Sequence, residues 1–131
     1  MANKNLTYVD FAYDEMGYFT QAYAAGMRYS AMVSQAQRIC ECFMKQVIVR
    51  SLANNTEVMM SHNLRSLYDY IESLGIDLRK VRADIMLLNN YYTHTRYPGK
   101  DAFLASKADI EASYESLLRI VTYIQGSILN A

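Results

Sequence analysis

From about residue 8 to residue 128, apolar side chains recur at steps of three and four, and no useful length of chain alternates as a half-buried strand would. Thr7-Tyr8-Val9-Asp10 has the spacing of a capping box, with Asp in place of Glu, and predicts a helix from about residue 8. Its apolar face is Val9, Ala12, Met16, Phe19, Tyr23 and Met27, and the chain turns or kinks around Arg28 to Ser30. A second helix runs from roughly Ser30 to Ala53, with Val33, Ala36, Cys40, Phe43 and Val47 on one face, and is expected to be the central one. Asn54-Asn55-Thr56 ends it, and Glu57 to Ser61 reads as loop. A short third helix turns Leu64, Leu67, Tyr68, Ile71 and Leu74 inward, with His62 at or near its start and Gly75 just past its end. Asp77 can cap a fourth, with Leu78, Val81, Ile85, Leu88 and Tyr92 facing the core.

Pro98 cannot extend that fourth helix and biases Tyr97 away from helical geometry, and Gly99 makes a turn cheap. The connection from Thr93 to Ala105 is irregular, with Phe103 and Leu104 as packing anchors. Ser106-Lys107-Ala108-Asp109 repeats the capping-box spacing, and Ile110, Tyr114, Leu117, Val121, Ile124 and Ile128 form the last seam. The pattern therefore predicts an all-α fold, an antiparallel up-and-down helical bundle of four long helices plus a short one, in a single domain over residues 1–131.

Composition narrows the class. No apolar run approaches the roughly 20 residues of a membrane span, and Met1 to Tyr8 holds no apolar signal core, so a soluble, cytoplasmic protein is expected. Cys40 and Cys42 lie two apart in a helical pattern and point to different sides; they read as buried free thiols rather than a disulfide or metal pair. Thirteen basic and thirteen acidic residues cancel, which argues against a surface that is basic throughout. Between Arg79 and Lys100, however, Arg79, Lys80, Arg82, Arg96 and Lys100 stand against Asp84 alone, a local excess of four positive charges.

That basic stretch contains Asn89 to Gly99, where aromatic, imidazole and guanidinium groups crowd around the only proline. Arg96 is a bidentate donor suited to phosphate or carboxylate, Tyr92 and Tyr97 are stacking platforms, and His94 is a proton carrier in reach of neutral pH. The same residues also read as a tyrosine-rich helix end that simply packs. Glu41 and Lys45, four apart with the acid first, read as a solvated helix pair, and His62 as a loop or capping residue. With His62 and His94 the only histidines and no metal-ligand spacing, no metal and no cofactor is expected. A phosphate-binding glycine loop and a serine nucleophile elbow are both missing.

Three runs in order carry a family resemblance. Leu88-Asn89-Asn90-Tyr91-Tyr92-Thr93-His94-Thr95-Arg96-Tyr97-Pro98 resembles the "YY…(T)RYP" signature of HEPN domains. Gln37-Arg38-Ile39-Cys40-Glu41-Cys42-Phe43-Met44-Lys45 is similar to the "QAAEKALKA" helix of that family, with Glu41 and Lys45 at the charged positions. Ser61-His62-Asn63-Leu64-Arg65-Ser66-Leu67 resembles its "(T/S)HDLxxL" helix start. The resemblance implies a dimerising bundle whose cleft holds a nucleotide or RNA, often beside a nucleotidyltransferase partner in a toxin–antitoxin-like arrangement. It places Arg96, Tyr97, Tyr92, His94, His62, Lys45 and Glu41 at the ligand.

Many HEPN members are ribonucleases that use an Arg followed four to six residues later by His. Here Tyr97 to Ala102 contain no histidine after Arg96, and His62 and His94 each follow the arginine upstream, Arg50 and Arg82, by twelve. Three functions follow, in this order: a nucleotide- or RNA-binding module that is not an enzyme, a structural or adaptor bundle without ligand, and a divergent metal-independent ribonuclease. A homodimer is expected, joined near the tyrosine-rich end of the fourth helix, because there are more aromatic side chains than one small core hides.

Overall fold

The computed structural model describes residues 5–95 and 97–130, leaving the side chains of Tyr92 and Thr93 undescribed. Six α-helices form within this range: α1 (Tyr8–Ala24), α2 (Ala31–Arg50), α3 (Thr56–Met59), α4 (Leu64–Ser73), α5 (Arg82–His94) and α6 (Lys107–Tyr123). Among the described residues there is no strand, and the molecule is the helical bundle that the apolar period requires. None of its described helices is long and apolar enough to cross a membrane.

Both capping boxes form. Thr7 Oγ1 accepts from Asp10 N while Asp10 Oδ2 accepts from Thr7 N, and Ser106 and Asp109 repeat the exchange at the start of α6. The center of the bundle is α2, which packs against α1, α4, α5 and α6. Its predicted stripe of Val33, Ala36, Cys40, Phe43 and Val47 is buried, and so are Met32, Ile39, Met44 and Ile48 on its other sides. With so many sides covered, some of its polar residues are buried, Gln37, Glu41 and Lys45 among them, while Arg38 and Arg50 stay exposed.

Several boundaries differ from the sequence expectation for local reasons. Helix α1 stops at Ala24, and Gly26 takes a left-handed conformation at φ +86°, so Met27 leaves the apolar face and is exposed. The following turn is held by Arg28, whose guanidinium lies 3.7 Å over the Tyr23 ring and donates to the Tyr23 and Met27 carbonyls. Tyr23 in turn stacks on Tyr114 of α6. Helix α2 ends at Arg50 rather than Ala53, with Leu52 at φ 64°.

Residues expected as loop after it include the single turn α3, capped by Asn55 Oδ1 accepting from Val58 N. Asp77 does not cap α5 directly. Its Oδ1 accepts from Arg79 N, opening a 3₁₀ turn (Arg79–Val81) that leads into α5. Leu74 and Leu104 are exposed rather than packed. Beyond Tyr123 the chain widens into π-helical turns, Ile124–Leu129.

Candidate functional site

Gln37, Glu41 and Lys45 sit four apart on α2 and so share one face of it. The expected solvated pair is interior: Glu41 is 7% and Lys45 5% exposed, and Gln37 is buried with them. The reason is the encirclement of α2, which leaves that face under the segment leading into α4. Two buried charges persist only if they satisfy each other. Lys45 Nζ meets Glu41 Oε2 at 2.9 Å, and Gln37 Nε2 donates to the His62 carbonyl at 2.7 Å.

His62 is drawn to the same carboxylate. Both Glu41 oxygens lie 3.1 Å from its Nδ1, while its side chain is 61% exposed. The cap of α4 is the next residue, Asn63, whose Oδ1 accepts from Arg65 N and Ser66 N. His62 therefore precedes the cap, with a buried acid behind its ring and solvent before it. An imidazole oriented by a carboxylate in this way can present a polar, proton-carrying edge to a ligand.

The stretch opening at Asn89 is anchored to this segment. Asn89 Oδ1 accepts from Leu64 N at 2.8 Å, tying the start of α4 to the last turns of α5. Two residues on, Tyr91 donates its hydroxyl to Asp109 Oδ1 at 3.0 Å, so one carboxylate both closes the α6 capping box and holds the end of α5. Burial first, and the Asp109 hydrogen bond second, push the Tyr91 phenol up to about 12. The bonds from Ser106 hold Asp109 below its ordinary value, with backbone donation the largest cause.

Of the residues singled out from the sequence, the fold brings Glu41, Lys45 and His62 into one network. His94 and Tyr97 line a separate shallow concavity with Thr95, Pro98, Phe103 and Leu104, where Phe103 N donates to the His94 carbonyl. Arg96 and the side chain of Tyr92 lie outside the described residues. Sequence reasoning missed Gln37 and Asn89 as members of the site. The signal for Gln37 was available: polar residues at 37, 41 and 45 form a four-spaced stripe on a helix otherwise apolar on several sides.

The cysteines are both free. Cys40 is buried and Cys42 partly so, and burial raises both thiols above their ordinary value. Among the described residues no group of acidic, histidine or cysteine side chains is arranged to hold a metal ion.

The HEPN domain model matches residues 9–127, nearly the whole chain, so all three resembling runs fall inside it. No curated protein and no solved structure matches the chain.

Proposed function

The chain belongs to the HEPN domain family, whose domains are nucleotide- or RNA-related modules, and from that premise we propose that it is a nucleotide- or RNA-binding module rather than an enzyme. The observation that carries the reading is the clasp of His62 by the buried Glu41–Lys45 pair, on a helix start that Asn89 fastens to the end of α5. Structural packing alone does not call for two buried charges, since an apolar pair of the same volume holds a core at least as well. Their use is to hold an exposed imidazole in one orientation.

In this reading Arg96 grips the ligand phosphate with its planar fork. Tyr92, Tyr97 and His94 shape the remainder, and His62 contributes a ring edge. The protein works as a homodimer in the cytoplasm, as one domain, with a nucleotidyltransferase as its partner. Catalysis is not part of the proposal, because no histidine follows an arginine at the spacing of the family's ribonucleases.

A thermal-shift screen with ATP, GTP, other nucleotides and short RNAs tests it. A ligand at 100 times its dissociation constant stabilizes the folded state by about 2.7 kcal/mol. His62→Ala and Arg96→Ala should remain folded and lose most of that shift. An unshifted melting curve across the whole screen would overturn the binding function.

A further inference from the structure

A groove lies between the 3₁₀ turn that opens α5 and the last turns of α6, at the other end of α5 from Asn89 and His94. It holds about 410 Å³, within the range of small-molecule sites. Val81, Leu118 and the Tyr123 ring give it apolar walls, and the Thr122 and Ser127 hydroxyls lie among them. Two features fix its shape. Tyr123 donates its hydroxyl to the Asp77 carbonyl at 2.7 Å, which holds that ring in place as a wall. Past Tyr123 the chain widens into the π-helical turns, a rare geometry that recurs at functional sites, and Ser127 lies within them.

Three charged residues line the groove: Lys80, Asp84 and Arg119. The Asp84 side chain is 14% exposed, and its charge is already matched. Its Oδ1 accepts from Ser116 Oγ and Arg119 Nη2, each at 2.8 Å, and its Oδ2 accepts from Arg119 Nε at 3.2 Å. Arg119 therefore holds Asp84 with Nε and Nη2, while its Nη1 makes no hydrogen bond among the described residues. Lys80 is exposed and has no ion pair among them. Its neighbors in the basic run are engaged elsewhere, Arg79 with Asp77 and Arg82 at 5.6 Å over the Tyr68 ring. Two cations against one anion leave the lining with a single positive charge.

We infer that this groove binds a small amphipathic carboxylate, an acid of one negative charge with an aryl or alkyl body. The body lies against Val81, Leu118 and Tyr123, and the carboxylate takes hydrogen bonds from Lys80 Nζ and Arg119 Nη1. One negative charge matches the lining. A phosphate monoester carries close to two at neutral pH, which exceeds that match and sets the surplus beside Asp84. The groove is separate from the nucleotide or RNA site proposed above, since Asp84 and His94 lie about 15 Å apart along α5. With few polar contacts and a small ligand, the dissociation constant is on the order of 1 mM.

Titration of the full chain with phenylacetate and octanoate, followed by backbone amide shifts in NMR spectra, tests it. At least one of the two acids should give saturable shifts on Lys80 to Asp84 and Leu118 to Ser127, with a dissociation constant of about 1 mM or below. Phenylacetamide keeps the ring without the charge, and phenyl phosphate adds a charge; each should bind roughly tenfold more weakly than phenylacetate or worse. Lys80→Met should weaken the carboxylate by about the same factor, and Ser127→Phe should fill the groove and abolish saturation. Both residues are exposed, so both variants should melt within a few degrees of wild type. Lys100→Met removes a positive charge elsewhere and should bind as wild type does. No saturation by either acid at about 20 mM would overturn the site. So would shifts centered on His94 and Phe103, a control that binds as tightly as phenylacetate, or an equal loss in Lys100→Met. Melting shifts with nucleotides and RNAs are read separately and decide only the function proposed above.

Discussion

Glu41 and Lys45 meet at 2.9 Å one turn apart on α2, and both are interior. An ion pair of this spacing on a solvated helix contributes a few tenths of a kcal/mol, whereas removing one partner of a buried pair costs about 3–5 kcal/mol. Lys45→Met should accordingly lower the unfolding free energy by that larger amount. The double variant Glu41→Gln with Lys45→Met should regain most of it, because neither charge is then left alone. Urea unfolding of the three proteins checks this, and a loss under about 1 kcal/mol for Lys45→Met would mean the pair is solvated.

His62 and Arg96 should separate stability from binding. The His62 ring is largely exposed, so His62→Ala should leave the melting temperature within a few degrees of wild type. Each lost contact to a phosphate-bearing ligand should cost roughly 1.5–3 kcal/mol, or one to two powers of ten in affinity. Calorimetric titration of His62→Ala, Arg96→Ala and Arg96→Lys with the best ligand from the screen measures it. Folded variants that bind as tightly as wild type would remove both residues from the site.

Tyr91→Phe removes the bond to Asp109 between α5 and α6 and should destabilize the fold by about 1 kcal/mol. An alkaline effect accompanies it. The phenol titrates near 10.0 when free and is pushed up to about 12 in the folded chain, so the unfolded chain releases its proton first. The stability held by this group is complete below pH 10 and is lost as pH rises toward 12. Urea midpoints taken from pH 9 to 11.5 should fall more steeply for wild type than for Tyr91→Phe, and parallel profiles would contradict the raised phenol.

Cys40 should resist alkylation in the folded protein, and Cys42 should react slowly, since burial raises both thiols and reduces their thiolate. Neither should form a disulfide with the other across one helical residue. Mass spectrometry after iodoacetamide treatment, native and denatured, distinguishes the two sites, and native labeling of Cys40 at the denatured rate would refute its burial.

The order of residues determined the helices and their ends where the determinants are local. The steps of three and four and the two capping boxes act within a few residues, so they are legible without knowing what packs against them. Even the central place of α2 follows from its apolar content. Tertiary structure alone decided which polar residues go inside and which apolar ones stay out. Glu41 lies 21 residues from His62 and Tyr91 lies 18 from Asp109, and no period links them. The stripe of Tyr8, Phe11 and Tyr18 has the same spacing as the core stripe of α1, yet it is outside because α2 covers only one side of that helix. Periodicity counts faces; it is the neighboring helices that cover some of them and leave others to solvent.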